Sequence, residues 1–410
     1  MGELQLEEDF LDIFQCRLLN SKNKMAERDT ADYEKSEKVA IDAGKSALQK
    51  SPWLFDRAAG LRGFFVEMRK NDNVHPDHFS VHCVDGAGTK LFYGPRTGNY
   101  RFQSLDALRM NSNDMATVLN ALPDSLCIYI AVQDKIKLHH MGEIMEGFRQ
   151  GLEGIKVRQP FNVNMGKLET ASLDEMISLG VPGLGYDIGV VLSGFIRKDL
   201  VPKLDPKPGD FIVGVASTGL HSNGHTGARH VLFTSDFEYR DEWKSQYRGR
   251  FSPNDKPDIL EGKTVIEALQ IPTACYFLDS HVIGDLFRSN PDIYGINITG
   301  NGLANFNRAG SGVSFEITDP LPLLPIHKLL IQESKWDPYN AYLKQNNGMG
   351  FAYIVQGRNN ADDVVELINK MGRNHAQIVG NVKASDEGEL VTHMHKSYEG
   401  GMLTYRGYSA

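Results

Sequence analysis

Asp85, Gly86, Gly88, Thr89 and Lys90 fall within six consecutive positions, Asp85-Gly86-Ala87-Gly88-Thr89-Lys90. Two glycines permit a tight turn and let the backbone approach a ligand closely. A carboxylate and an ammonium beside such a turn are equipment for a metal ion and an anion, although a plain charged turn has the same composition. Asp106, Arg109, Asn113 and Asp114 lie a little further on. On a helix Asp106 and Asn113, seven residues apart, lie within about 20° of each other, with Arg109 on the same side and Asp114 at the edge. Alone, that face reads as solvated surface. Together with Asp85 it is a candidate Mg²⁺ site, because Mg²⁺ takes one or two carboxylates and completes its shell with water and phosphate oxygens.

Two further glycine loops have the composition of anion sites. Ser217, Thr218, Gly219, His221, Ser222, Asn223 and Gly224 follow a short apolar run and precede an expected helix near His225. They offer hydroxyl, imidazole, amide and backbone N–H donors, and the simpler reading is a capped helix start. Thr299-Gly300-Asn301-Gly302 likewise sits between an expected strand and an expected helix whose first N–H groups would face the loop. Its near match to a dinucleotide fingerprint ends in Asn305, and Gly86–Lys90 lacks the spacing of a Walker A loop. Glu169 is placed just after a strand, where a surface turn is the simpler reading.

The elements that must hold these residues are legible in part. Phe79, Val81 and Cys83 alternate with Ser80, His82 and Val84, the period of a half-buried strand ending at Asp85. Residues 104–121 and 139–155 have the apolar stripes of helices. Residues 126–132, 161–165 and 187–196 read as strands, and helices are also expected at 32–52, 225–233, 276–288 and 361–371. Pro202, Pro206 and Pro208 mark a linker between Asp199 and Asp210. The expected organisation is an extension at 1–31, an N-terminal domain at 32–200, a C-terminal domain at 209–390 and a tail at 391–410. Strands and helices mix without clean βαβ alternation, so the fold class is α+β.

The chain has 410 residues, 41% hydrophobic and 23% charged, with a formal net charge of -8. That balance argues against a general binder of nucleic acid or anionic membranes, though a local basic pocket for a phosphorylated metabolite is compatible with it. Cys16, Cys83, Cys127 and Cys275 have no paired spacing, so no zinc or redox motif follows from them and a reducing compartment is the easier reading. With no apolar run of roughly 20 residues and no secretory pattern at Met1–Phe10, the sequence predicts a soluble cytoplasmic protein.

In order, DYEKSEKVAIDAG (32–44), AGLRGFF (59–65), VDGAGTKL (84–91), NSNDM (111–115), LETA (168–171), YD (186–187), STGLHSNG (217–224), IPTACY (271–276), ITGNG (298–302), NNGMGF (346–351) and IVGNVKAS (378–385) resemble the motifs of the phosphoribosylformylglycinamidine cyclo-ligases, also called aminoimidazole ribonucleotide synthetases. The resemblance implies a homodimer closed by the N-terminal sheets, and ATP-dependent ring closure of a phosphoribosyl metabolite with Mg²⁺. It implies catalytic roles for Asp85, Lys90, Asp114 and His221. Gly60, Gly63, Gly86, Gly88, Thr89, Asp106 and Asn113 would bind the nucleotide. Ser217, Thr218, Ser222, Asn223, Gly224, Thr299, Gly300 and Gly302 would bind the acceptor, and Asp85, Asp114 and Glu169 the metal. The chain departs from the family at Lys167-Leu168, where Gly-Gly is usual, at Asn301, where Gly is usual, and at Ile130, where a polar pair is usual. A small-molecule kinase resembling thiamine-monophosphate kinase and a non-catalytic nucleotide-binding paralogue are the rival expectations.

Overall fold

A computed structural model describes residue 39 and residues 65–70, 75–133, 138–157, 163–178, 180–288, 293–308, 310–385 and 388–406. The expected helix at 32–52, Gly60 and Gly63 lie outside the described residues. The chain divides into two compact units, Met1–Asp56 with Ala410 and Arg57–Ser409, and the fold below is that of the second.

Two sheets carry it. The smaller contains β1 (Glu67–Lys70), β2 (His78–Gly86), β3 (Leu122–Val132), β4 (Asn164–Ser172) and β5 (Tyr186–Arg197), in the order β1-β2-β5-β3-β4. Only β3 and β4 run parallel within it. The larger contains β6 (Phe211–Ala216), β7 (Tyr294–Asn297), β8 (Val313–Ile317), β9 (Met349–Val355), β10 (Ala376–Ala384), β11 (Val391–Met394) and β12 (Leu403–Arg406), in the order β12-β11-β8-β10-β6-β9-β7. The architecture is α+β. The small sheet ends at Arg197 and the large one begins at Phe211, either side of the proline-bearing segment. Residues 391–406, set apart in the sequence as a tail, instead supply two strands of the large sheet, with Val391 and Met394 buried. No helix among the described residues is long and apolar enough to cross a membrane.

Alternation decides the two faces of β2. Val81 and Cys83 point into the core while Val84 is 76% exposed, as its period-2 pattern requires. Helix α1 (Arg101–Ala116) packs on the inner face, against β2 and β5, and α2 (Leu138–Gly154) packs against α1. One apolar core runs from Val81, Leu126 and Val190 under α1 to Val213, Phe351 and Tyr353 of the large sheet. Helix α1 therefore has neighbours on both sides, and 12 of its 16 residues are buried, including Gln103, Asp106, Asn111 and Asn113. Its polar face is an interior seam rather than solvated surface. Further helices, α3 (His225–Leu232), α4 (Phe277–Leu286) and α5 (Arg358–Met371), follow the strands of the large sheet. The segment after β7 is a 3-10 turn, Gly302–Arg308, instead of the expected helix.

Candidate active site

The turn Asp85–Lys90 stands at the end of β2, against α1. Its first glycine has a steric cause: a Cβ on Gly86 would lie 2.5 Å from the Ile188 carbonyl oxygen of β5. Gly88 has φ +54, a left-handed conformation that glycine adopts without strain, and open space around it. Gly88 is thus the glycine free to approach a ligand. Thr89 Oγ1 meets Thr226 Oγ1 of α3 at 2.9 Å, joining the turn to the second glycine loop.

Lys90 lies elsewhere than the sequence predicts. It is fully buried, 2.8 Å from the equally buried Asp106 carboxylate, and it donates to the Ile271 carbonyl at 2.7 Å. Burial pulls its ammonium below the ordinary lysine range, and the Asp106 carboxylate opposes that pull. Lys90 is held inside the protein, not presented on the turn to a phosphate.

The polar face of α1 is also reassigned. Asp106 accepts from Thr273 N at 2.7 Å, and Arg109 donates to Thr273 O at 2.7 Å. Asn113 donates to Ala274 O and accepts from Tyr276 N, each at 2.9 Å. Asp106 and Asn113, expected to bind nucleotide, instead grip the backbone of residues 271–276. Helical spacing correctly places the three on one face. It carries no information about which chain segment that face meets.

Asp85 and Asp114 remain the acidic pair. Asp85 points to the inner face, in the row of Val190 and Ile128, and its carboxylate accepts from Gly86 N at 2.7 Å. Burial raises Asp85 above the ordinary carboxylate range. Asp114, at the end of α1, accepts from Asn297 Nδ2 at 2.8 Å. Burial, reinforced by the charge of Asp85, pushes Asp114 up to about 7 against the pull of Asn297 and Arg308. Asn297 and Arg308 have no strong sequence signal beyond their places after β7 and at the end of the following turn.

Glu169 does not join this pair. It lies within β4, on the open edge, where it pairs with Lys167 at 3.1 Å. The register runs Gly86, Gly189, Tyr129, Glu169, so Glu169 stands three strands from the turn, about 14 Å at ordinary strand spacing. Among the described residues no three His, Cys, Asp or Glu side chains gather as a metal cage.

The second and third glycine loops converge. A Cβ on Gly300 would lie 3.9 Å from Asn223 Oδ1. Ser217 N donates to Gly348 O at 2.9 Å, and Asn346 donates to Gly219 O at 2.9 Å. Gly302 N donates to Thr299 O at 3.1 Å. Gly224 precedes α3 with φ 72, and no side chain caps that helix start. Thr218, Gly224 and Gly300 are exposed, while Ser222, Asn223 and Thr299 are half-buried.

His221 is different. It is buried, with φ +60, and its Nε2 accepts from Thr218 N at 3.3 Å and Ala274 N at 3.4 Å. Burial, then the nearby Lys90 charge, hold it well below the ordinary histidine range. It is a neutral structural acceptor, and nothing in its surroundings exposes it to a reacting group.

These features define a class: a two-sheet α+β protein with a glycine turn at the end of a central strand, an acidic pair between helix and sheet, and two glycine loops that approach each other. No family model matches the chain. It is 30% identical over 313 residues to a Methanococcus maripaludis (strain C6) protein named phosphoribosylformylglycinamidine cyclo-ligase, covering 76% of this chain and 80% of that one. A Methanocaldococcus jannaschii protein of the same name is 31% identical over 314 residues, with the same coverage. The chain belongs to the phosphoribosylformylglycinamidine cyclo-ligase family. Its fold is also that of a solved HypE–HypF complex, at 14% identity and TM-score 0.53, covering 84% of this chain and 93% of that chain.

Proposed function

We infer that this protein catalyses the reaction its relatives are named for: ATP-dependent closure of formylglycinamidine ribonucleotide to aminoimidazole ribonucleotide in purine biosynthesis. Identity of 30–31% across about three quarters of the chain is the observation that carries the reading. The chemistry suits the site. An amide oxygen leaves poorly; transfer of the γ-phosphoryl group makes it a good leaving group, and the neighbouring nitrogen then attacks and releases phosphate. Such transfer rests on positioning and charge neutralisation.

Asp85 and Asp114 fit a hard divalent cation, since Mg²⁺ needs only one or two carboxylates when phosphates complete its shell. Bound there, Mg²⁺ would neutralise phosphate charge. The Asp85 charge, which helps to raise Asp114 and which a cation would offset, supports the assignment. Gly88 and Thr89 are the turn residues that would meet the nucleotide, with open space at Gly88 in support. Thr218, Ser222, Asn223, Gly224, Thr299 and Gly300 would hold the acceptor, whose ribose phosphate suits the uncapped N–H groups at the start of α3.

A homodimer accompanies this reading. The outer face of the small sheet exposes Val84 (76%) and Tyr129 (45%) beside half-buried Val191 and Cys127, and neither α1 nor α2 lies on it. A cytoplasmic setting agrees with Cys83, Cys127 and Cys275, which are all free.

The deciding assay mixes purified protein with ATP, Mg²⁺ and formylglycinamidine ribonucleotide and measures the aminoimidazole product and ADP. Both are expected in equal amounts. ADP without ring product gives the kinase reading, and neither product gives the non-catalytic one.

A further inference from the structure

We propose that Thr273 is a positioning residue for the acceptor side of the site, and that its hydroxyl registers the loop 217–224 to helix α1. Thr273 is buried and held on three sides. Its N–H meets Asp106, its carbonyl meets Arg109, and its Oγ1 meets Ser222 Oγ at 3.0 Å. The residues beside it repeat the pattern. Thr218 Oγ1 donates to Pro272 O at 2.7 Å, and Ala274 N donates to His221 Nε2 at 3.4 Å. Three consecutive residues, Pro272, Thr273 and Ala274, therefore each hold one residue of the loop.

The segment's own position does not depend on the Thr273 hydroxyl. Lys90 fixes the Ile271 carbonyl, Asp106 and Arg109 fix both backbone groups of Thr273, and Asn113 fixes Ala274 and Tyr276. With the backbone secured from the α1 side, the hydroxyl serves its partner Ser222, which is half-buried at the surface of the loop. The seam runs from the turn at Lys90, through α1 and residues 271–276, to the loop, so the turn and the loop are set relative to each other by one chain of polar contacts.

This inference rests on the reading above in one respect, that the loop 217–224 holds the acceptor. Thr273→Val keeps the shape and cuts only the bond to Ser222, and Thr273→Ser restores the hydroxyl. In Thr273→Val the KM for formylglycinamidine ribonucleotide should rise about three- to tenfold, the worth of one hydrogen bond, while the KM for ATP and the thermal midpoint stay put. Thr273→Ser should return the acceptor KM to its starting value. Amide hydrogen exchange at residues 217–224 should quicken in the Val variant and slow again in the Ser variant. An unchanged acceptor KM with unchanged exchange overturns the proposal, as does an equal rise in both KM values. Should the parent protein make no imidazole product, the functional reading fails while the exchange comparison still decides the role of Thr273. If Thr273→Val does not fold, Thr273→Ala removes the same hydroxyl with a smaller side chain and is read the same way.

Discussion

Asn297, the last residue of β7, donates its side-chain N–H to Asp114 at the end of α1 across 2.8 Å. One bond thus ties the large sheet to the helix lying on the small one, at the carboxylate that burial pushes up to about 7. An acid whose folded pKa exceeds its unfolded value binds more protons when folded. Its contribution to stability therefore declines as pH rises from its ordinary 3.8 to about 7. Asp114→Asn should raise stability at pH 8 by about 1–3 kcal/mol in denaturant titrations without metal. It should also abolish most activity. In the parent, the Mg²⁺ concentration giving half-maximal rate should climb as pH falls from about 8 to about 6, because the cation needs the ionised carboxylate. A flat Mg²⁺ requirement over that range removes Asp114 from the metal site.

Lys90 and Asp106 form a fully buried pair, and removing one partner strands the other. Lys90→Met should cost about 3–5 kcal/mol, and adding Asp106→Asn should recover part of it. Urea unfolding of the single and double variants measures this. A Lys90→Met protein within about 1 kcal/mol of the parent would contradict the buried geometry.

His221 accepts two backbone N–H bonds and stays neutral through the physiological range. His221→Ala should slow ring closure more than it weakens nucleotide binding, by loosening the loop. Its rate against pH should run parallel to that of the parent, because burial holds the His221 imidazole well below the ordinary histidine range and keeps it neutral. Loss of ATP affinity equal to the loss of rate would assign the loop to the nucleotide.

Asn301 has φ +68, a left-handed conformation that the family's usual glycine would adopt with ease. Asn301→Gly should leave fold and rate intact. Asn301→Val should cost about 1–2 kcal/mol from backbone strain alone. An Asn301→Gly protein that folds but has lost the reaction would show that the amide makes a specific contact with the acceptor.

Val84 and Tyr129 lie on one face of the small sheet, in adjacent rows of the register. Sedimentation at micromolar concentration should give a dimer, and Val84→Arg should shift it towards monomer by placing a charge in an apolar contact. A parent protein that sediments only as monomer rules the dimer out.

Local periodicity made much of this legible without coordinates. The alternation of Val81 and Cys83 with Val84 is a property of neighbouring residues, and it alone determined that β2 has one buried face and ends at the Asp85 turn. Seven-residue spacing likewise put Asp106 and Asn113 on one side of a helix. Periodicity says which residues share a face and nothing about what the face meets. Only packing turned that side of α1 toward residues 271–276 and made a backbone clamp of it. Glu169 fails as a metal ligand for a related reason. Its distance from Asp85 is set by strand order and register, β2-β5-β3-β4, and pairing between strands distant in sequence leaves no mark on the residues near Glu169. Lys90 and His221 stand in glycine-bearing loops that suggest a catalytic role, yet both side chains are buried. Whether such a residue faces a ligand or the interior depends on segments more than 50 residues away in the chain, Lys90 on Ile271 and His221 on Ala274. That choice belongs to the tertiary structure.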